Sequence, residues 1–214
     1  MARYPEWQDE YWLLLMQLYL RKPQGVKPLY SRELVKVAME LHIPPHLLYQ
    51  RMFRLRTLDT PRMQRLWDTY ANNPRRLAHG VKLLRRMQGF GHADVFYRDV
   101  EEVDTWEKDF KPLKVNQRLS PVKLIVILDL YFRLTPITMS PDTPEVMQLA
   151  KRININPKLA VEVMDLFLQW DPCMKTTEEK QSPLLPACMD IWQRFGNDDP
   201  QNLAALAAQL KEYF

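Results

Sequence analysis

Glycine is scarce in this chain: there are five in 214 residues, against seventeen prolines. A many-stranded β protein needs glycine-bearing turns, and a nucleotide-binding loop needs glycines that let the backbone approach a phosphate. The pair in "GFGH" at 89 to 92 is followed by no GK[ST] and preceded by no strand-like run, so no phosphate loop is expected. Cysteine is scarcer still. Cys173 and Cys188 have neither metal-site spacing nor the density of a secreted disulfide scaffold, and a cytoplasmic protein with reduced thiols is the expectation. No stretch reaches the roughly 18 apolar residues of a membrane helix. "WLLLMQLYL" at 12 to 20 follows Glu6, Asp9 and Glu10 and precedes no small-residue cleavage site, so a signal peptide is not expected either.

What the chain does have is a 46% hydrophobic content, enough for sizeable cores, and prolines that recur just before apolar periodic runs. Proline suits the first turn of a helix, where its missing N–H has no partner to lose, so this pattern predicts an all-α protein. The net charge of +4 conceals an asymmetry. Residues 1 to 88 hold 16 Lys and Arg against 7 Asp and Glu, whereas residues 89 to 214 hold 14 against 19.

Shifted against itself by 112 residues, the sequence aligns 9 to 59 with 121 to 171 without a gap, and ten of the 51 pairs are identical. Leu18, Tyr19 and Arg21 meet Leu130, Tyr131 and Arg133. Glu33, Ala38, Ile43, Pro45, Leu47, Met52 and Asp59 meet Glu145, Ala150, Ile155, Pro157, Leu159, Met164 and Asp171. Chance gives on the order of three, and most other pairs exchange apolar for apolar, which is how a repeated structural unit looks. The match resumes beyond "CMKTTEEKQSPLL", with Trp67 and Tyr70 on Trp192 and Phe195, then Leu77-Ala78 on Leu203-Ala204. The predicted organisation is a tandem duplication: a basic helical repeat at 1–88, an aromatic and acidic segment at 89–120, and an acidic helical repeat at 121–214.

Each repeat is expected to hold about five short helices. "KLIVILDLYF" at 123 to 132 is ambiguous between strand and helix by itself, but its partner "YWLLLMQLYL" is rich in Leu and Met, so both are read as central helices, apolar on nearly all sides. Ser31, Pro45, Thr60-Pro61 and Asn73-Pro74 mark later starts in the first repeat. Met63, Leu66, Trp67 and Tyr70 form one core stripe; Leu77, Val81, Leu84 and Met87 form another.

Within each repeat the second and third helices share one spacing. Val37, Ala38, Leu41, His42 and Ile43 lead into Leu48, Met52 and Leu55; Leu149, Ala150, Ile153, Asn154 and Ile155 lead into Ala160, Met164 and Phe167. Here the sequence resembles helix-turn-helix DNA-binding domains, over about 22 residues of each repeat and at the level of the motif alone. His42 stands where Gly is most frequent at such a turn, and Arg51 stands at a commonly apolar site that is Val163 in the second repeat.

The resemblance implies that the third helix of the first repeat is a recognition helix, facing outward with His46, Tyr49, Gln50, Phe53 and Arg54. Gln and Arg can contact base edges, and Tyr and His can reach phosphates. The fifth helix adds Arg75, His79, Lys82 and Arg86 at i, i+4, i+7 and i+11, with Arg76 and Arg85 alongside, a stripe suited to phosphates. The second repeat is an internal control: it carries Glu162 and Asp165 where the first has Gln50 and Phe53, and carboxylates repel phosphates. Its Val161, Leu166 and Leu168 are expected to form an interface to a protein partner or a second copy of the chain.

The leading expectation is therefore a non-enzymatic nucleic-acid-binding protein, with double-stranded DNA as the first candidate partner. The alternative is a non-catalytic adaptor built from two helical bundles. No cofactor, metal or small-molecule substrate is expected. Pro44-Pro45 separates His42 from His46, and Cys173 has no neighbouring histidine. Residues 94 to 109 carry seven acidic side chains against two basic ones, which suggests an acidic cover over the basic fifth helix.

Overall fold

The computed structural model describes residues 7–87, 89–90, 106–174 and 181–214, and among them the secondary structure is eleven α-helices with no strand. The chain divides into two compact units after Trp106. The first holds α1 (Tyr11–Leu20), α2 (Arg32–Leu41), α3 (Pro45–Thr57), α4 (Pro61–Tyr70) and α5 (Pro74–Leu84). The second holds a single turn, α6 (Glu107–Phe110), then α7 (Pro121–Tyr131), α8 (Pro144–Arg152), α9 (Pro157–Phe167), α10 (Leu185–Phe195) and α11 (Pro200–Leu210), with 3₁₀ turns at Pro136–Thr138 and Lys211–Tyr213. No described helix is long and apolar enough to cross a membrane.

The local causes of these helices are visible at their first turns. Thr60 Oγ1 accepts from the Met63 N–H and Asn73 Oδ1 from the Arg76 N–H, so each side chain satisfies a donor that has no partner inside its helix. Pro45, Pro61 and Pro74 each occupy a first turn. Ser31 marks the start of α2 differently. Its carbonyl accepts from the Val35 N–H, but its hydroxyl makes no capping bond and is buried without a partner.

In the first unit α1 is the central helix, packed by α2, α3 and α5, while α4 lies against α5. Leu14, Leu15 and Met16 are at most 2% exposed, which explains why α1 is apolar nearly all round. Leu34, Ala38 and Leu41 of α2, Leu48, Met52 and Leu55 of α3, and Leu77, Val81 and Leu84 of α5 close the core. Two expected core stripes differ in part. On α4 only Met63 is fully buried, with Leu66, Trp67 and Tyr70 half-buried, because this helix packs at the margin of the bundle. Met87 is 56% exposed, since α5 ends at Leu84 and i→i+3 bonds from Arg86 and Met87 wind the chain away from the helical register.

In the second unit α7 is central and packs against α6, α8, α9, α10 and α11. Every residue from Leu124 to Tyr131 is buried, including Asp129. That carboxylate is neutralised in place: Arg133 Nη2 lies 2.7 Å and Lys211 Nζ 3.0 Å from its Oδ2. Shifted by 112 residues, α2 and α3 begin where α8 and α9 begin; shifted by 126, α5 spans the same positions as α11. Of the sequence segment 89–120, Phe90 and Trp106 pack on the core of the first unit and 107–120 belong to the second. Residues 91–105 lie outside the described set.

Candidate nucleic-acid interface

The α2–α3 corner is a tight turn through His42, Ile43 and Pro44. His42 adopts the left-handed conformation at φ 55° and ψ 29°, which lets the Ile43 N–H reach back to the Ala38 carbonyl at 3.1 Å. The α8–α9 corner uses the same device: Asn154 has φ 54°, and the Ile155 N–H donates to the Ala150 carbonyl at 2.9 Å. Ala38 and Ala150 are both fully buried, so a small side chain sits where the two helices of each corner meet.

α3 buries Pro45, Leu48, Met52 and Leu55 and turns the opposite side outward. His46, Gln50 and Arg54 are exposed and Phe53 is 40% exposed; Tyr49 is half-buried and sets its ring edge-on to Phe53 at 5.0 Å. Arg54 is not an uncommitted cation, because its Nε donates to Asp59 Oδ2 at 2.9 Å. Arg51 is half-buried with its guanidinium 4.1 Å from the centre of the Trp7 ring. The π face accommodates a charge that the core could not; Val163, 112 residues on, is buried. Burial and the neighbouring Arg54 lower the Arg51 pKa, although a guanidinium stays charged at physiological pH.

Two shallow grooves meet at this Trp7–Arg51 pair. One, of about 270 Å³, continues over Ile43, Leu47, Gln50 and Arg54; the other, of about 260 Å³, reaches Asp9, Trp12, Arg62 and Leu66. Arg62 pairs with Asp9 at 2.5 Å on the rim. Sequence reasoning missed Trp7 and Arg62. The available signal was an aromatic residue just ahead of the first buried helix, facing an arginine at an apolar position of α3.

α5 places the predicted stripe on its outer side. Arg75, His79 and Lys82 are exposed on the helix, and Arg86 is exposed in the turn just beyond it. No carboxylate lies within ion-pairing distance of Arg75, Lys82 or Arg86 among the described residues. The flanking arginines are committed elsewhere. Arg76 lies 5.5 Å from the Tyr70 ring, and Arg85 Nη2 donates to Glu40 Oε2 at 2.9 Å while its Nε donates to Oε1. That two-point pairing raises the Arg85 pKa and makes it a tie between α5 and the end of α2.

In the second unit, Leu166 corrects the expected interface: it is 1% exposed and therefore taken up inside the protein. Placing it one position after Asp165 on the outer face overlooked that α9 packs against α7, α8 and α10 at once, which widens its buried sector. Val161 and Leu168 are half-buried. Cys188 is buried and Cys173 exposed. Burial, with a contribution from Glu162, pushes the Cys188 thiol up to about 12, which disfavours the reactive thiolate. The acidic cover expected at 94–109 falls largely outside the described residues; of its described part, Asp109 is held by Arg194, with Oδ2 2.7 Å from Nη2.

Comparison with known protein families, characterised proteins and solved structures finds no match to this chain.

Proposed function

We propose that the chain is a nucleic-acid-binding protein that uses its first unit, holding phosphates on α5 and presenting the outer side of α3 to bases. The observation that carries this reading is the line of Arg75, Lys82 and Arg86, three exposed and unneutralised cations in a unit already rich in basic residues. Elsewhere in the same unit Arg54, Arg62 and Arg85 are balanced by nearby carboxylates. A row left unbalanced favours a polyanion.

In the same reading both units derive from one duplicated, helix-turn-helix-containing ancestor, supported by the common helix starts and by the matched left-handed residues His42 and Asn154. The second unit, with carboxylates on α9, serves assembly, and Val161 and Leu168 are the residues left for that contact. Binding of labelled DNA and RNA, titrated across salt, tests the proposal. A steep salt dependence that is lost in the Arg75→Glu, Arg86→Glu variant is expected; no binding of either nucleic acid at 50 mM salt would overturn it. Retention of a protein partner by that same variant is the result that would favour an adaptor.

A further inference from the structure

The outer side of α3 is less basic than its sequence suggests. Arg54 is paired with Asp59 and Arg51 is stacked on Trp7, whereas His46, Gln50, Arg56 and the Tyr49–Phe53 ring pair stand outside any ion pair among the described residues. The surface is well supplied with flat faces. The Trp7–Arg51 pair forms a ridge of indole and guanidinium with an apolar-floored groove on each side, Ile43 and Leu47 in one and Trp12 and Leu66 in the other.

A further observation bears on a ligand there. Both rim arginines are held only by exposed carboxylates: Arg62 and Asp9 are 69% and 46% exposed, Arg54 and Asp59 48% and 39%. Such solvent-screened pairs are weak, so a phosphate can take over either guanidinium.

We infer that the Trp7–Arg51 ridge is a stacking site for an unpaired base of single-stranded nucleic acid, with Arg54 and Arg62 receiving the flanking phosphates. The inference rests on the nucleic-acid reading above and deepens it, since it selects single strands over duplex. Stacking is available only to a base whose faces are uncovered, and it tolerates any base because each has a π face.

The test compares a fluorescein-labelled oligothymidylate with a hairpin duplex of equal phosphate number, bound to the full chain at fixed salt. Single-strand affinity should exceed duplex affinity and fall about tenfold with Trp7→Leu, the loss of one base stack, while Trp7→Phe keeps most of it. Because Trp7 also contacts Tyr11 and Trp12, Gln50→Glu serves as a second variant. It puts a carboxylate on the exposed rim of the groove without touching the core, and should weaken single-strand binding severalfold. Duplex preference, or single-strand affinity unmoved by Trp7→Leu and Gln50→Glu while Arg75→Glu, Arg86→Glu still abolishes binding, would overturn the stacking site and leave the broader function standing. Absence of all binding would remove both.

Discussion

Reversing two charges on α5 is the perturbation whose size follows most directly from the structure. Arg75 and Lys82 are seven residues apart on α5, about 10 Å at a rise of about 1.5 Å per residue, and Arg86 follows in the turn beyond, so each of the three cations has room to meet its own phosphate on one strand. Neutralising three phosphates gives a slope of about −2.7 in log affinity against log salt for duplex DNA and about −2.1 for a single strand. Raising salt from 50 to 200 mM should then weaken binding by about 40-fold or about 20-fold respectively. In Arg75→Glu, Arg86→Glu only Lys82 of the stripe remains, so the stripe's share of the slope should shrink to about −1 or less. The assay is fluorescence anisotropy of a labelled oligonucleotide. Lys151→Glu, Lys158→Glu makes the same change in net charge on exposed positions of the second unit and is the matched control. If both variants weaken binding equally, long-range net charge and not the stripe would be responsible, and the argument from local geometry would be refuted.

Other consequences concern the scaffold. At pH 8 a thiol whose pKa is about 12 is ionised in roughly one part in ten thousand, so a thiol reagent should label Cys173 alone in the native chain and reach Cys188 only on unfolding. The same shift has a definite sign in stability: between about pH 9 and 12 the unfolded thiol loses its proton and the folded one keeps it, so stability falls as pH rises through that window, and Cys188→Ala should flatten the fall. A Cβ at Gly196 would lie 2.6 Å from the Trp192 ring and 2.7 Å from its carbonyl oxygen, so Gly196→Ala should cost about 1–3 kcal/mol in a denaturant melt. An unchanged midpoint would refute this, because swinging the Trp192 ring aside leaves the contact with its backbone carbonyl. Asp129→Ala strips the carboxylate from Lys211 and Arg133, both with some access to water, and should destabilise by about 2 kcal/mol, seen as a lower melting temperature.

Sequence alone determined the all-helical class, the buried central helices α1 and α7, and the starts of α3, α4 and α5, because caps, first-turn prolines and apolar periodicity act over one or two turns of chain. It also located the corners at His42 and Asn154, where a helix must stop before a crossing partner. The tertiary structure alone decided which cations are available. Arg85 meets Glu40 from 45 residues away, and Arg51 meets Trp7 from 44; no spacing rule contains either pairing. It likewise decided that Leu166 is core, since the width of a buried face depends on how many neighbours a helix touches. The candidate site was legible as a list of basic residues. The subset left to bind was set by long-range electrostatics and packing, which depend on distances that appear only when the chain is folded.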